Sequence, residues 1–192
     1  MAFLRIAQVG HPVLRAPTRT LTVDEIHSDR WQRFFDDLID TMHEANGAGL
    51  AANQVYESVR VCAIEVKPNN PRYPYKPPIP LTLLVNPVIT PLSDETFLNY
   101  EGCLSVPDMR GEVPRFARVR VEYLDRHANP VVVEQRGITA GTFQHEVDHL
   151  DGKVFLDRVT DPTSLTTWTN FDRFQKDGFA ARVKDIVEKY GS

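Results

Sequence analysis

The chain has 192 residues, 42% of them hydrophobic, which is enough apolar material for one core and a single domain spanning 1–192. A formal charge of -4 and a pI near 5.9 exclude an extended nucleic-acid footprint, so no direct nucleic-acid substrate is expected. There is no run of about 18 apolar residues, and the opening residues lack both a signal-peptide core and a transit-peptide composition. The expectation is a cytoplasmic protein with no membrane segment, whose two cysteines, Cys62 and Cys103, are free thiols or metal ligands.

In chain order, Trp31, Phe34, Phe35, Leu38, Ile39 and Met42 recur at helical spacing and predict a core-packing helix over Asp29–Ala45. Asp29 with Gln32 resembles a capping box at its start, and Asn46-Gly47 is a stop signal. Ser58–Glu65 alternates like a strand and carries Cys62, read as a small buried hydrophobe. Lys67–Pro80 holds six of the fourteen prolines and predicts an irregular surface loop. Further strands are predicted at Leu83–Val85, Val88–Thr90, Val119–Leu124 and Val131–Gln135, the last two joined by a turn at Asp125–Asn129. A second helix is predicted from Thr139 to Gly152 and a terminal one over Phe179–Lys189. Strands clustered between helices give an α+β class rather than a βαβ parallel sheet.

The strongest chemical signal is His145-Glu146-Val147-Asp148-His149, an H-E-x-x-H motif inside the second predicted helix. Residues four apart share a helix face, so both imidazoles can reach one ion while Phe143, Val147 and Leu150 turn the reverse face to the core. Two exposed histidines spaced by chance are the bland alternative, and the acidic residue in the correct slot argues against it. A catalytic site needs a third ligand beside one open position. Downstream, the metzincin continuation reaches Gly152 but has Phe155 where the last histidine belongs, no histidine follows His149, and Glu188 lies in the terminal helix. Upstream stands Cys103 in Glu101-Gly102-Cys103-Leu104-Ser105-Val106-Pro107; taken alone it reads first as a buried structural residue.

A third segment, Gly47-Ala48-Gly49-Leu50-Ala51-Ala52-Asn53-Gln54, precedes these two. The blocks G-x-G-L-A-A-x-Q, E-G-C-L-S and Q-H-E-x-D-H-L-x-G, in this order, resemble the signature of the peptide deformylases, and the resemblance extends to the opening Val9–Arg15. It implies antiparallel sheets packed around a central metal-binding helix, with an N-terminal and a C-terminal helix. It also implies hydrolytic removal of the N-formyl group from the formyl-methionine of nascent polypeptides, with release of formate. One divalent metal ion is implied on Cys103, His145 and His149, with iron(II) expected and zinc, nickel or cobalt as replacements.

By the same resemblance Glu146 moves the proton, while the Gln54 side-chain amide and the Leu104 backbone N–H stabilise the oxyanion. Ala48, Gly49 and Leu50 would pair with the substrate backbone as an edge strand. Gly102, Gly141 and Thr142 would lie near the methionine pocket, although Gly141 and Thr142 are smaller or more polar than an apolar wall requires. Arg110 or Arg115 is expected to pair with Glu101, and Asp148 to fix the helix or a neighbouring ligand. Two other readings stay open: an H-E-x-x-H metallopeptidase, and a non-catalytic metal-binding member of the family. For the basic residues Arg173, Lys176, Arg182, Lys184 and Lys189 the alternatives are ribosome contact and a solvated helix face.

Overall fold

A computed structural model describes residues 3–68, 70 and 74–192. The first helix, α1, is the short Val23–His27, closed by a capping box in which Glu25 N–H donates to Thr22 Oγ1 at 3.2 Å and Thr22 N–H to Glu25 Oε2 at 2.9 Å. It leads into α2, Asp29–Glu44. The capping box expected at Asp29 and Gln32 does not form: Ser28 is the N-cap, and the Gln32 amide donates to the carbonyls of Ile26 and Arg126 at 2.7 and 2.8 Å. The stop falls where the sequence puts it, with Asn46 at φ 52° and Gly47 N–H bonded to the Met42 carbonyl.

Five strands form one antiparallel sheet in the order β1-β2-β3-β6-β7: Gly49–Ala51, Val61–Val66, Ile79–Pro91, Arg118–Leu124 and Pro130–Arg136. A second sheet holds β4 (Thr96–Cys103), β5 (Val106–Phe116) and the two-residue β8 (Thr166–Thr167). Side chains of β2 alternate between two cores. Val61 and Ala63 face α2 with Trp31, Phe35 and Leu38, whereas Cys62 and Ile64 face Phe143 and Leu150 of the helix α3, Gly137–Leu150. A strand buried on both faces reads as a continuous apolar run, and period-two alternation decides which core each residue joins.

Several predicted boundaries shift. Leu83–Val85 and Val88–Thr90 are parts of one strand, interrupted by a register shift at Asn86, whose φ is 54° and whose amide holds both backbone groups of Leu21. Of the proline-rich loop, residues 69 and 71–73 lie outside the described residues, and Ile79 and Pro80 already belong to β3. The terminal helix α4 runs over Lys176–Tyr190 after a helical turn from Trp168.

The β4–β5 hairpin was not anticipated as a pair of strands. In β4 Leu98 is exposed at 43% together with Thr96, while Asn99 and Glu101 are buried at 1% and 5%, so these two polar residues point inward. This inversion hides the strand from a hydrophobic-alternation reading. Helix α3 is buried beyond the apolar face that Phe143, Val147 and Leu150 predict: all its residues except His145 are buried. Its polar side chains are matched from outside, as when Gln144 exchanges hydrogen bonds with both backbone groups of Phe116 at 3.0 and 2.9 Å.

Candidate metal centre

Helix α3 presents His145 and His149 on one face, their ring centroids 5.0 Å apart. The last residue of β4 brings Cys103 against them, with its Sγ 3.2 Å from His149 Nε2. One donor atom from each of the three residues falls within 4.8 Å of the others. That spacing fits bonds of about 2.0–2.3 Å converging on a single ion, and a thiolate with two imidazoles suits a transition metal.

Glu101 fixes the first ring. Its Oε2 lies 2.8 Å from His145 Nδ1, leaving Nε2 to face the donor cluster. Arg115 holds both Glu101 oxygens at 2.8 Å and donates to Asp148 Oδ2 at 2.5 Å, and Asp148 also accepts from Arg158. The pairing expected for Glu101 thus falls to Arg115. Arg110, the other candidate, is fully buried; it donates to the Tyr100 carbonyl at 2.8 Å and the Tyr75 hydroxyl at 2.7 Å, with its guanidinium over Phe171 and Trp168. Its stacking inside the aromatic cluster, rather than beside a carboxylate, removes it from the cleft wall.

These contacts set the protonation states. Burial would raise Glu101 and Asp148, but Arg115 and the other cations hold both below the usual carboxylate range. Burial would likewise raise both cysteines. It does so for Cys62, whereas His149 and His145 bring Cys103 well below the ordinary thiol value. Burial works to lower His145, and Cys103 and Glu101 overcome it, raising this imidazole well above its usual value. The centre therefore gathers thiolate and carboxylate charge that a cation can neutralise in place of protons. Glu146 responds in the opposite sense to Glu101: burial raises it, and the nearby imidazoles only temper the rise.

The donors open on a narrow cleft. Ala48 and Gly49, at the start of the edge strand β1, bound one side, Gly102, Cys103 and Leu104 another, and Gly141 and Thr142 of α3 a third, with Gln54, His145 and Glu146 inside. Gln54 Nε2 donates to Ser105 Oγ at 2.9 Å and reaches Cys103 Sγ at 3.4 Å, while its Oε1 accepts from Ala51 N–H at 2.8 Å. Glu146 Oε2 is buried with no hydrogen-bond partner among the described residues. Gly49 leaves room for the Glu146 carboxyl group, which a β-carbon there would displace. The Leu50 side chain is buried in the α2 core, so only its backbone belongs to this edge.

Three participants escaped the sequence reading. Asn53 Nδ2 donates to the His149 carbonyl at 2.5 Å, and its signal was its place inside the G-x-G-L-A-A-x-Q block. Asn99 lines the cleft from an unrecognised strand. Lys76 enters from the proline-rich loop and donates to Thr142 Oγ1 at 3.1 Å; burial pushes its ammonium down to about 8. No local pattern marks it.

Residues 3–164 match the family model described as polypeptide deformylase. Peptide deformylase 2 of Nostoc sp. is 45% identical over 81% of this chain and 86% of its own length. Peptide deformylase 1 of Prochlorococcus marinus is 41% identical over 86% of this chain and 85% of its own. Among solved structures, the Met-Ala-Ser-bound class I type b peptide deformylase of Acinetobacter baumannii superposes with a TM-score of 0.79 at 40% identity, covering 82% of this chain and 99% of that one. Together with the Cys-His-His cluster, these similarities establish that the chain belongs to the polypeptide deformylase family.

Proposed function

We propose that this chain removes the N-formyl group from the formyl-methionine of newly made polypeptides and releases formate, using one divalent ion held by Cys103, His145 and His149. The observation that carries the reading is the convergence of these three donors beside a Glu146 carboxylate oxygen that has no partner among the described residues. A divalent ion at such a site polarises a carbonyl and lowers the pKa of water. Iron(II) is the assigned native ion, and zinc, nickel or cobalt are replacements that the same donor set accepts.

Glu146 takes the proton from the attacking water and delivers it to the departing amine. Its burial supports this role, because a carboxyl raised toward neutrality both accepts and returns a proton. The Gln54 amide and the Leu104 backbone N–H supply donors to the developing oxyanion. Ala48 and the open edge of β1 at Gly49 and Leu50 pair with the peptide backbone, with Gly102, Gly141 and Thr142 beside its first side chain. A related deformylase binds Met-Ala-Ser, a peptide of the class this edge suits.

Among the described residues no helix is long and apolar enough to cross a membrane, and the cytoplasm is the assigned compartment. Ribosome contact through the C-terminal segment has less support than a solvated face. Arg182 pairs with Glu112, Lys189 with Glu95 and Lys176 with Asp172. The test of the whole reading is incubation of metal-loaded protein with formyl-Met-Ala-Ser and with Met-Ala-Ser. Formate from the first and no fragments from either is expected; fragments without formate would restore the metallopeptidase alternative.

A further inference from the structure

The proline-rich segment meets the cleft at Lys76, whose Nζ donates to Thr142 Oγ1 at 3.1 Å. Tyr75, beside it in the chain, is held from behind: its hydroxyl accepts a 2.7 Å hydrogen bond from Arg110 Nη1, and its ring centre lies 5.1 Å from that of Phe179. Arg110 stands on β5 opposite Gly102, a cleft residue of β4, with Thr166 of β8 on its other side. Its Nη2 donates to the Tyr100 carbonyl of β4 at 2.8 Å. One guanidinium thus ties the loop to a strand of the cleft wall.

That guanidinium is fully buried, and its Nε has no partner among the described residues. Burying a charge away from any carboxylate is costly, and an apolar residue would fill the same space at lower cost. What an apolar residue cannot supply is the directed pair of charge-assisted hydrogen bonds. The cost is offset in part by aromatic faces: the guanidinium carbon lies 3.9 Å from the Phe171 ring centre and 4.5 Å from that of Trp168. Trp168, Phe171 and Phe179 all follow residues 3–164, which carry the family match. Trp168 also backs the cleft, since a β-carbon on Gly102 would lie 3.3 Å from its Cζ2.

We propose that Arg110 is a positioning residue for peptide binding: acting through the Tyr75 hydroxyl, it keeps Tyr75 and Lys76 seated as one wall of the cleft. The proposal rests on the deformylase reading above. A peptide in the cleft contacts this wall only when it is seated, so seating and peptide binding favour each other. Loss of the Tyr75 hydroxyl removes one hydrogen bond to a charged group, which multiplies the unseated population by about tenfold.

The bond between Tyr75 and Lys76 is its own probe, because chymotrypsin cuts after tyrosine and phenylalanine alike and reaches this bond only when the segment lifts. Cleavage then follows the open population. Metal-loaded wild type, Tyr75→Phe, Arg110→Met and the double variant are compared, each rate divided by that of a synthetic peptide spanning the same bond. Cleavage after Tyr123, inside β6, reports opening of the whole fold. The expected result for Tyr75→Phe is a rise of about tenfold after residue 75 with no change after Tyr123. Adding Tyr75→Phe to Arg110→Met should raise the rate by less than about twofold further, since the hydroxyl acts through Arg110. The product peptide Met-Ala-Ser, at about ten times its dissociation constant, should slow wild-type cleavage after Tyr75 about tenfold. A rate within about twofold of wild type in Tyr75→Phe, a full effect of that change in the Arg110→Met background, or no protection by Met-Ala-Ser overturns the assignment. Should Arg110→Met fail to fold, Tyr75→Phe and the protection decide alone. Absence of formate from formyl-Met-Ala-Ser with the wild type overturns the deformylase reading, whereas formate release with an unmoved cleavage rate overturns this inference alone.

Discussion

Glu101 and His145 are joined by a 2.8 Å contact between Oε2 and Nδ1, and the carboxylate is held in place by Arg115, so the orientation of one metal donor on helix α3 is set by a residue of strand β4. Replacing Glu101 with Gln removes the charge that orients the ring and leaves Arg115 with one buried carboxylate partner instead of two. Metal affinity should fall on the order of 10- to 100-fold, as for the loss of other groups that orient a ligand. Competition with a chelator measures it, and an unchanged dissociation constant would contradict the positioning role.

The two cysteines are both buried, yet their surroundings assign them opposite behaviour. Cys103→Ser should lose most of its metal and activity. Cys62→Ser faces Phe143 and Leu150 across the sheet and should keep both, at a cost of about 1–3 kcal/mol in stability from burying a hydroxyl. Metal analysis and formate assays on the pair decide the matter; equal losses would remove Cys103 from the ligand set.

Glu146→Gln is nearly isosteric and leaves Cys103, His145 and His149 free to coordinate. Metal content and melting temperature should hold while kcat drops by about 10² to 10⁴, the usual worth of positioned proton transfer. A fully metallated mutant that retains wild-type kcat would sink the proposed proton path.

Gly49→Ala places a methyl group in the space of the Glu146 carboxyl, which must then move. The expected outcome is a loss of kcat with metal retained. Gly178 in α4 is the control, because nothing lies within 4 Å of a β-carbon there. Gly178→Ala should leave kcat unchanged and raise stability by up to about 1 kcal/mol through helix propensity. Similar kinetics for the two variants would mean that Gly49 does not position Glu146.

Asp148 gives a pH prediction. Burial works to raise it, but Arg158 and Arg115 hold its folded pKa below the unfolded value, so the unfolded chain binds the extra proton first. The stabilisation is complete above the unfolded pKa, near pH 4, and is lost as the pH falls further through the folded value. Melting temperature should decline below about pH 4, and Asp148→Asn should flatten that decline while lowering stability at neutral pH. Chelator-treated samples separate this effect from acid release of the metal, and a parallel decline in both proteins would show that Asp148 does not carry it.

The sequence by itself determined the parts of this protein whose information is local. The spacing of His145 and His149 fixes them on one helical face, the aromatic repeat of α2 fixes its buried stripe, and Asn46 and Gly47 end that helix. The G-x-G-L-A-A-x-Q and E-G-C-L-S blocks supplied Gln54 and Cys103 only through family resemblance, because nothing near them in the chain says that they meet. Tertiary structure decided the rest. It turned the polar side of β4 inward, so that Asn99 and Glu101 escape any alternation pattern, and it gave Glu101 to Arg115 while enclosing Arg110 among aromatic rings. It also carried Lys76 from a proline-rich loop to Thr142, 66 residues away in the chain. The physical reason is the same throughout. Periodicity reports which residues share a face, but a buried polar group is specified by its partner, and partners distant in the chain become visible only when the sheets and helices bring them together.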